Sequence, residues 1–108
     1  MAKWVYVVGT NCKVAGKETD FNRWYDTVHL PDVLLTPGFL GAERYEVKDP
    51  APGKARFIAV YTIETDDIDK TLADIGETMK RVRATGRLTD LVDVVDRSIC
   101  KMISALKK

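Results

Sequence analysis

The chain has 108 residues, a formal net charge of +1, and a composition of 45% hydrophobic and 31% charged residues, ordinary for a folded protein with one modest core. A balance so close to neutral argues against nucleic acid or an anionic lipid surface as a partner. No apolar run approaches the roughly 20 residues that span a bilayer, and Met1-Ala2-Lys3 leads into a strand-like segment, so a cytoplasmic protein with one domain over 1–108 is expected.

The first element is Lys3 to Val8, a β-branched and aromatic run that reads as a strand buried on both faces. Cys12 falls in the polar loop that follows, Gly9 to Thr19. Cys12 and Cys100 are far apart without metal-type or redox-type spacing, so reduced thiols and no metal site are expected. Thr19 or Asp20 can cap a helix in which Phe21, Trp24, Tyr25, Val28 and His29 share one stripe. Pro31 lacks an N–H and pushes Leu30 out of the helical region, which predicts an end or kink near His29 and a further short turn from Asp32 to Leu35.

Thr36-Pro37-Gly38 punctuates the chain before a second strand, Phe39 to Val47, whose apolar residues are interrupted by Glu43, Arg44 and Glu46. A loop over Lys48 to Lys54 leads to a third strand, Arg56 to Glu64, again apolar without alternation. Thr65, Asp66 or Asp67 then caps a second helix with the stripe Ile68, Leu72, Ile75, Met79 and Val82, and Gly86 stops it. Val94 to Ile103 reads as a fourth, more polar strand.

Strand, helix, strand, strand, helix, strand is the α+β, ferredoxin-like βαββαβ plan: a four-stranded antiparallel sheet with two main helices on one face. The unbroken apolar runs belong to the first and third strands, which this plan makes central. Two helices cover one face only, so a second apolar face remains. A homodimer pairing sheet against sheet, forming a dimeric α/β barrel, would cover it.

The only histidine, His29, is the natural proton carrier near neutral pH. Tyr25 and Asp26 stand one helical turn before it, and Asp26 or Asp32 could orient one ring nitrogen. The helix C-terminus favours the imidazolium while burial against Trp24 opposes it, and the sequence leaves that contest open. Tyr6, Tyr45 and Tyr61 are strand tyrosines that could donate to a substrate oxygen. Arg44 could hold a substrate carboxylate if it faces inward, and Phe21, Val28 and Phe39 would line the apolar part of a pocket. The plainer alternative is that His29 caps a helix end and the aromatic stripe is core.

Residues 21–32, Phe-Asn-Arg-Trp-Tyr-Asp-Thr-Val-His-Leu-Pro-Asp, followed by Thr-Pro-Gly-Phe-Leu-Gly-Ala-Glu-Arg-Tyr at 36–45, resemble the signature of the EthD-like proteins of the dimeric α/β-barrel superfamily. The resemblance implies a pocket between curved sheet and helices, with His29 first among the catalytic candidates and Trp24 and Tyr25 shaping the walls. Some cyclases of that superfamily carry a later histidine that this chain lacks, so a mechanism needing two histidines is excluded.

The leading expectation is a cofactor-independent acid–base enzyme on a small, largely apolar carbonyl, enol or aromatic compound. His29 would move a proton in a cyclisation, dehydration or isomerisation, with a tyrosine steadying the oxyanion. A cofactor-free monooxygenase is the nearest alternative. Beyond it stand a non-catalytic dimeric metabolite-binding protein and haem binding through His29.

Overall fold

The computed structural model describes residues 1–108. It contains β1 (Ala2–Cys12), α1 (Glu18–Trp24), a π-helical turn (Tyr25–His29), α2 (Leu30–Val33), β2 (Phe39–Glu46), β3 (Phe57–Thr65), α3 (Ile68–Ala84) and β4 (Val92–Lys101). The four strands form one antiparallel sheet in the order β2-β3-β1-β4. The first and third strands are central, as their apolar runs require, and the fold is the expected ferredoxin-like plan. No helix is long and apolar enough to cross a membrane.

Strand alternation sorts the residues by face. Phe57, Ala59, Tyr61 and Ile63 of β3 are all buried under the helices, with Val8 and Thr10 of β1 beside them. Phe21 and Ile63 are wholly buried, each contributing roughly 1.5–3 kcal/mol of apolar transfer. The alternate residues Val5, Val7, Ile58 and Val60 point to the other face. No helix covers that face, and they stay half-buried.

The helical arm differs from its sequence reading in two ways. It begins at Glu18, before Thr19 or Asp20 could cap it, and Lys17 at its start makes no side-chain cap. It also does not end at Pro31. Leu30 keeps helical dihedrals (φ −57°, ψ −48°), and the chain stays helical to Val33. The turn ahead of the proline is widened instead, with the Leu30 N–H donating to the Tyr25 carbonyl five residues back. Pro31 has no N–H to give and its ring crowds the preceding carbonyls; a wider turn relieves that crowding without breaking the helix. Thr27 Oγ1 donates to the Arg23 carbonyl at 2.6 Å, feeding one acceptor of the widened turn.

Pro37-Gly38 makes the expected turn, Gly38 at φ +91°, where a Cβ would stand 3.4 Å from the Glu64 carbonyl oxygen. Of the three candidate caps for the second main helix, Asp67 is the one used, accepting from the Lys70 N–H at 3.1 Å. Gly86, at φ +74°, ends that helix, and the Arg87 N–H closes back on the Val82 carbonyl. β1 runs on to Cys12, past the expected loop start at Gly9. β4 begins two residues before Val94 and stops two before Ile103. A register shift between Gly9 and Thr10 relays the β1–β4 pairing and sets Arg97 opposite Val8, on the helix side of the sheet.

Candidate functional site

Between the sheet and the helical arm lies a cavity of about 340 Å³, within the size range of small-molecule sites. Its polar wall includes Tyr6, Thr10, Trp24, Tyr25, His29 and Tyr61; its apolar body includes Val8, Val33, Ile75, Met79 and Val92. Five of the sequence-derived candidates therefore meet around one space: His29, Tyr25, Tyr61, Trp24 and Tyr6. A larger depression of about 670 Å³ lies elsewhere, among Asn11, Lys13, Glu18, Arg56 and Asp93, with only two apolar residues in its lining.

The widened turn explains how the cavity is walled. In an α-helix residues five apart lie on different sides; closing the hydrogen bonds to i−5 brings them near one face. Trp24 and His29 accordingly stack, ring centroids 4.8 Å apart and 19° from parallel. Tyr25 meets His29 edge-on at 5.0 Å and Trp24 edge-on at 5.5 Å. Tyr61 approaches from β3, with Tyr6 beside it at 5.9 Å.

The other candidates do different work. Phe21 and Phe39 are core: Phe21 packs on Tyr25 and Phe57, and Phe39 meets Tyr61 edge-on. Val28 is half-buried outside the cavity lining. Arg44 does face inward, yet it does not reach the cavity. Its guanidinium lies 4.2 Å from the Tyr25 ring centre and donates to Asp26 Oδ1 at 3.0 Å and Asn22 Oδ1 at 2.8 Å. It fixes Tyr25 from behind. Asp26 is thereby an exposed ion-pair partner outside the cavity lining and makes no hydrogen bond to His29.

Asp32 does not orient His29 through a hydrogen bond either. It is buried and accepts from Arg87 Nε at 2.7 Å, while the Arg87 carbonyl accepts from Trp24 Nε1 at 2.9 Å. The two contacts tie the connector after α3 to the arm, and Leu88 and Thr89 of that connector become cavity wall. Tyr45 is on the wrong face altogether. Its partner across the ladder is Ile58, it is 53% exposed, and its hydroxyl donates to Glu43. Period-two alternation sends Tyr45 outward for the same reason that it sends Arg44 inward.

The His29 side chain makes no cap and no hydrogen bond within the chain. Its Nδ1 is the one buried side-chain polar atom without a partner. Burial decides the contest that the sequence left open: desolvation pulls the imidazole pKa from 6.5 down to about 4, against the opposing pull of Asp32. The ring is neutral at pH 7. Burial pushes the Tyr25 and Tyr61 phenols up, and each hydroxyl influences the ionisation of the other. Both remain protonated donors throughout the working range of an enzyme.

Sequence reasoning missed two cationic members of the site, Arg83 from α3 and Arg97 from β4. Neither makes an ion pair or a side-chain hydrogen bond, and no carboxylate lines the cavity. Arg97 was hidden by the register shift at Gly9/Thr10, which has no local sequence signal beyond the glycine itself. No group of three or more His, Cys, Asp or Glu side chains is positioned to hold a metal.

No protein-family model and no curated protein sequence matches the chain. Solved structures do. A dimeric ferredoxin-like protein from an uncultured marine organism matches with a TM-score of 0.68 at 12% identity, over 98% of this chain and 100% of that one. SnoaB, a cofactor-independent oxygenase from Streptomyces nogalater, matches with a TM-score of 0.63 at 13% identity over 100% of both chains. An EthD family protein from Bacillus halodurans matches with a TM-score of 0.59 at 12% identity, over 95% of this chain and 100% of that one. The stretch from Phe21 to Tyr45 that resembles the EthD-like signature thus sits in a chain with the fold of an EthD family protein. The chain has the ferredoxin-like βαββαβ fold that these proteins share over essentially their full length.

Proposed function

We propose that this chain is an EthD-like member of the dimeric α/β-barrel superfamily and a cofactor-independent enzyme that stabilises the enolate or phenolate of a small aromatic or enolic compound. The observation that carries this reading is the convergence of His29, Tyr25 and Tyr61 on one largely apolar cavity. Val8, Val33, Ile75 and Met79 take the ring of the substrate. The protonated hydroxyls of Tyr25 and Tyr61 donate to its oxygen as negative charge develops there. His29, neutral at rest, accepts the proton. An anion forming beside the imidazole favours its charged form, so its proton affinity rises at the moment the proton is transferred.

Two fates of the anion are open to the same site. Reprotonation or loss of water gives the isomerase, dehydratase or cyclase reading. Reaction with dioxygen gives the monooxygenase reading, in which an activated methylene becomes a carbonyl, the second oxygen leaves as water, and the substrate supplies the electrons. The shared fold with a cofactor-independent oxygenase favours the second, and the depressed basicity of His29 suits substrates acidic enough to need little help. A homodimer through the uncovered sheet face, with Val5, Val7, Ile58 and Val60 at its centre, is part of this proposal.

The test is turnover of an activated phenol or enol under air and under nitrogen, read by product mass. Gain of an oxygen with loss of two hydrogens, only under air, is the oxygenase outcome; unchanged mass or loss of water assigns proton chemistry. Tyr61→Phe lowers turnover by about 10²-fold, the cost of one oxyanion donor. A cavity that binds such compounds without converting them, and without loss in Tyr61→Phe, refutes the enzyme reading in favour of metabolite binding.

A further inference from the structure

Three of the chain's arginines are neutralised within the fold: Arg44 by Asp26, Arg56 by Glu46 and Arg87 by Asp32. Arg83 and Arg97 are not, and both line the cavity. They arrive from unrelated elements, the last turn of α3 and the middle of β4, so no local sequence repeat accounts for their meeting. Both are exposed residues, and they therefore lie where the cavity opens to solvent. Behind them the lining is apolar or aromatic, and its remaining polar groups are phenols, threonines and a neutral imidazole. An otherwise uncharged cavity lined by two exposed guanidinium groups that make no ion pair repels cations and attracts anions.

We infer that Arg83 and Arg97 form a carboxylate-recognising pair, and that the cavity takes a planar aromatic or enolic acid, ring inward and carboxylate at the arginines. This rests on the reading of the cavity as a substrate site and adds the class of substrate. A guanidinium offers a planar fork of N–H donors that fits a carboxylate through two parallel hydrogen bonds, and two such forks at one entrance fix the direction in which a flat molecule enters. The ring then lies against the Trp24–His29 stack and the Ile75 and Met79 side chains, with its far end towards Tyr25 and Tyr61.

The experiment uses matched pairs of probes, benzoate against benzamide and 2-naphthoate against 2-naphthamide, with the wild-type chain. Binding is followed by the ring-proton signals of His29, unambiguous because it is the only histidine. The expected result is that each carboxylate binds at least tenfold more tightly than its neutral amide. In the double variant R83Q/R97Q that preference disappears, while amide binding changes less than twofold. Equal affinity for acid and amide in the wild type overturns the carboxylate assignment alone, as does a preference that survives in the double variant. Failure of every probe to move the His29 signals overturns the reading of the cavity as a substrate site, and this inference with it. Because the acid–amide comparison is made on the unaltered chain, it decides the substrate class even if the double variant does not fold, and the single variants R83Q and R97Q then assign the preference to the arginines.

Discussion

The depressed pKa of His29 makes a measurable demand on stability. In the unfolded chain the imidazole titrates near 6.5; in the fold burial holds it near 4. Between those values the unfolded chain binds a proton that the folded chain refuses. The corresponding stability is fully present above pH 6.5 and is lost as pH falls towards 4. A gap of about 2.5 pH units corresponds to about 3 kcal/mol in full, of which about 2 kcal/mol falls between pH 7 and pH 5. Carboxylates also titrate towards the acid end, so the measurement must be differential. His29→Phe keeps a flat ring against Trp24 and removes the titration. Urea unfolding of both proteins at pH 5, 6, 7 and 8 is expected to give a wild-type stability that falls about 2 kcal/mol further than that of the variant between pH 7 and 5. Parallel pH dependences refute the argument, as would an imidazole titration by NMR with a midpoint near 6.5.

Other consequences follow from single contacts. Asp32→Asn removes the charge that holds Arg87 and is expected to cost about 1–2 kcal/mol in urea unfolding, with faster amide exchange across the Arg87–Thr89 connector. Gly9→Ala drives a Cβ to 2.8 Å from that of Ala55 and 2.5 Å from Asp96 Oδ1, so thermal melting should register a loss of about 2 kcal/mol. Val60→Lys sets a charge on the uncovered sheet face; if that face joins two copies, sedimentation will change from twice the chain mass to once. A wild-type protein that already sediments as a monomer removes the dimer from the proposal.

Much of this fold was legible because the sequence repeats its message at several levels. The unbroken apolar runs at Lys3–Val8 and Phe57–Tyr61 identify central strands, and the stripe from Phe21 to His29 identifies an inward helix face. Which tyrosines reach the cavity was not legible. What sends Tyr6 and Tyr61 to one face and Tyr45 to the other is strand parity, and parity depends on register, which is a property of strand pairs. Arg97 is the sharper case, since a shift at Gly9/Thr10 on a neighbouring strand decides its face. Pro31, by removing a hydrogen bond, predicts an end or kink near His29, and the structure has a widened turn there and no end. The packing of Phe21, Tyr25 and Val33 on both sides of it keeps the helix whole, and the damage is absorbed as a wider turn. Asp32 looked like a partner for the histidine three residues before it; its true partner, Arg87, is remote in sequence, and only the tertiary fold brings the two together.

The wider turn also changes what length means in this arm. Between Tyr25 and His29 the chain holds one residue more than an α-helix would use to connect the same two ends. Wound as an ordinary α-helix with the same residues, this turn would rotate everything on one side of it by about 100° relative to the other. His29 would then leave Trp24 and turn from the cavity, with every wall residue still present in the sequence. The position of the imidazole is therefore set by the winding of this turn as much as by chemistry. A chain with the same aromatic pair and histidine turns its histidine elsewhere wherever these five residues are wound as an α-helix.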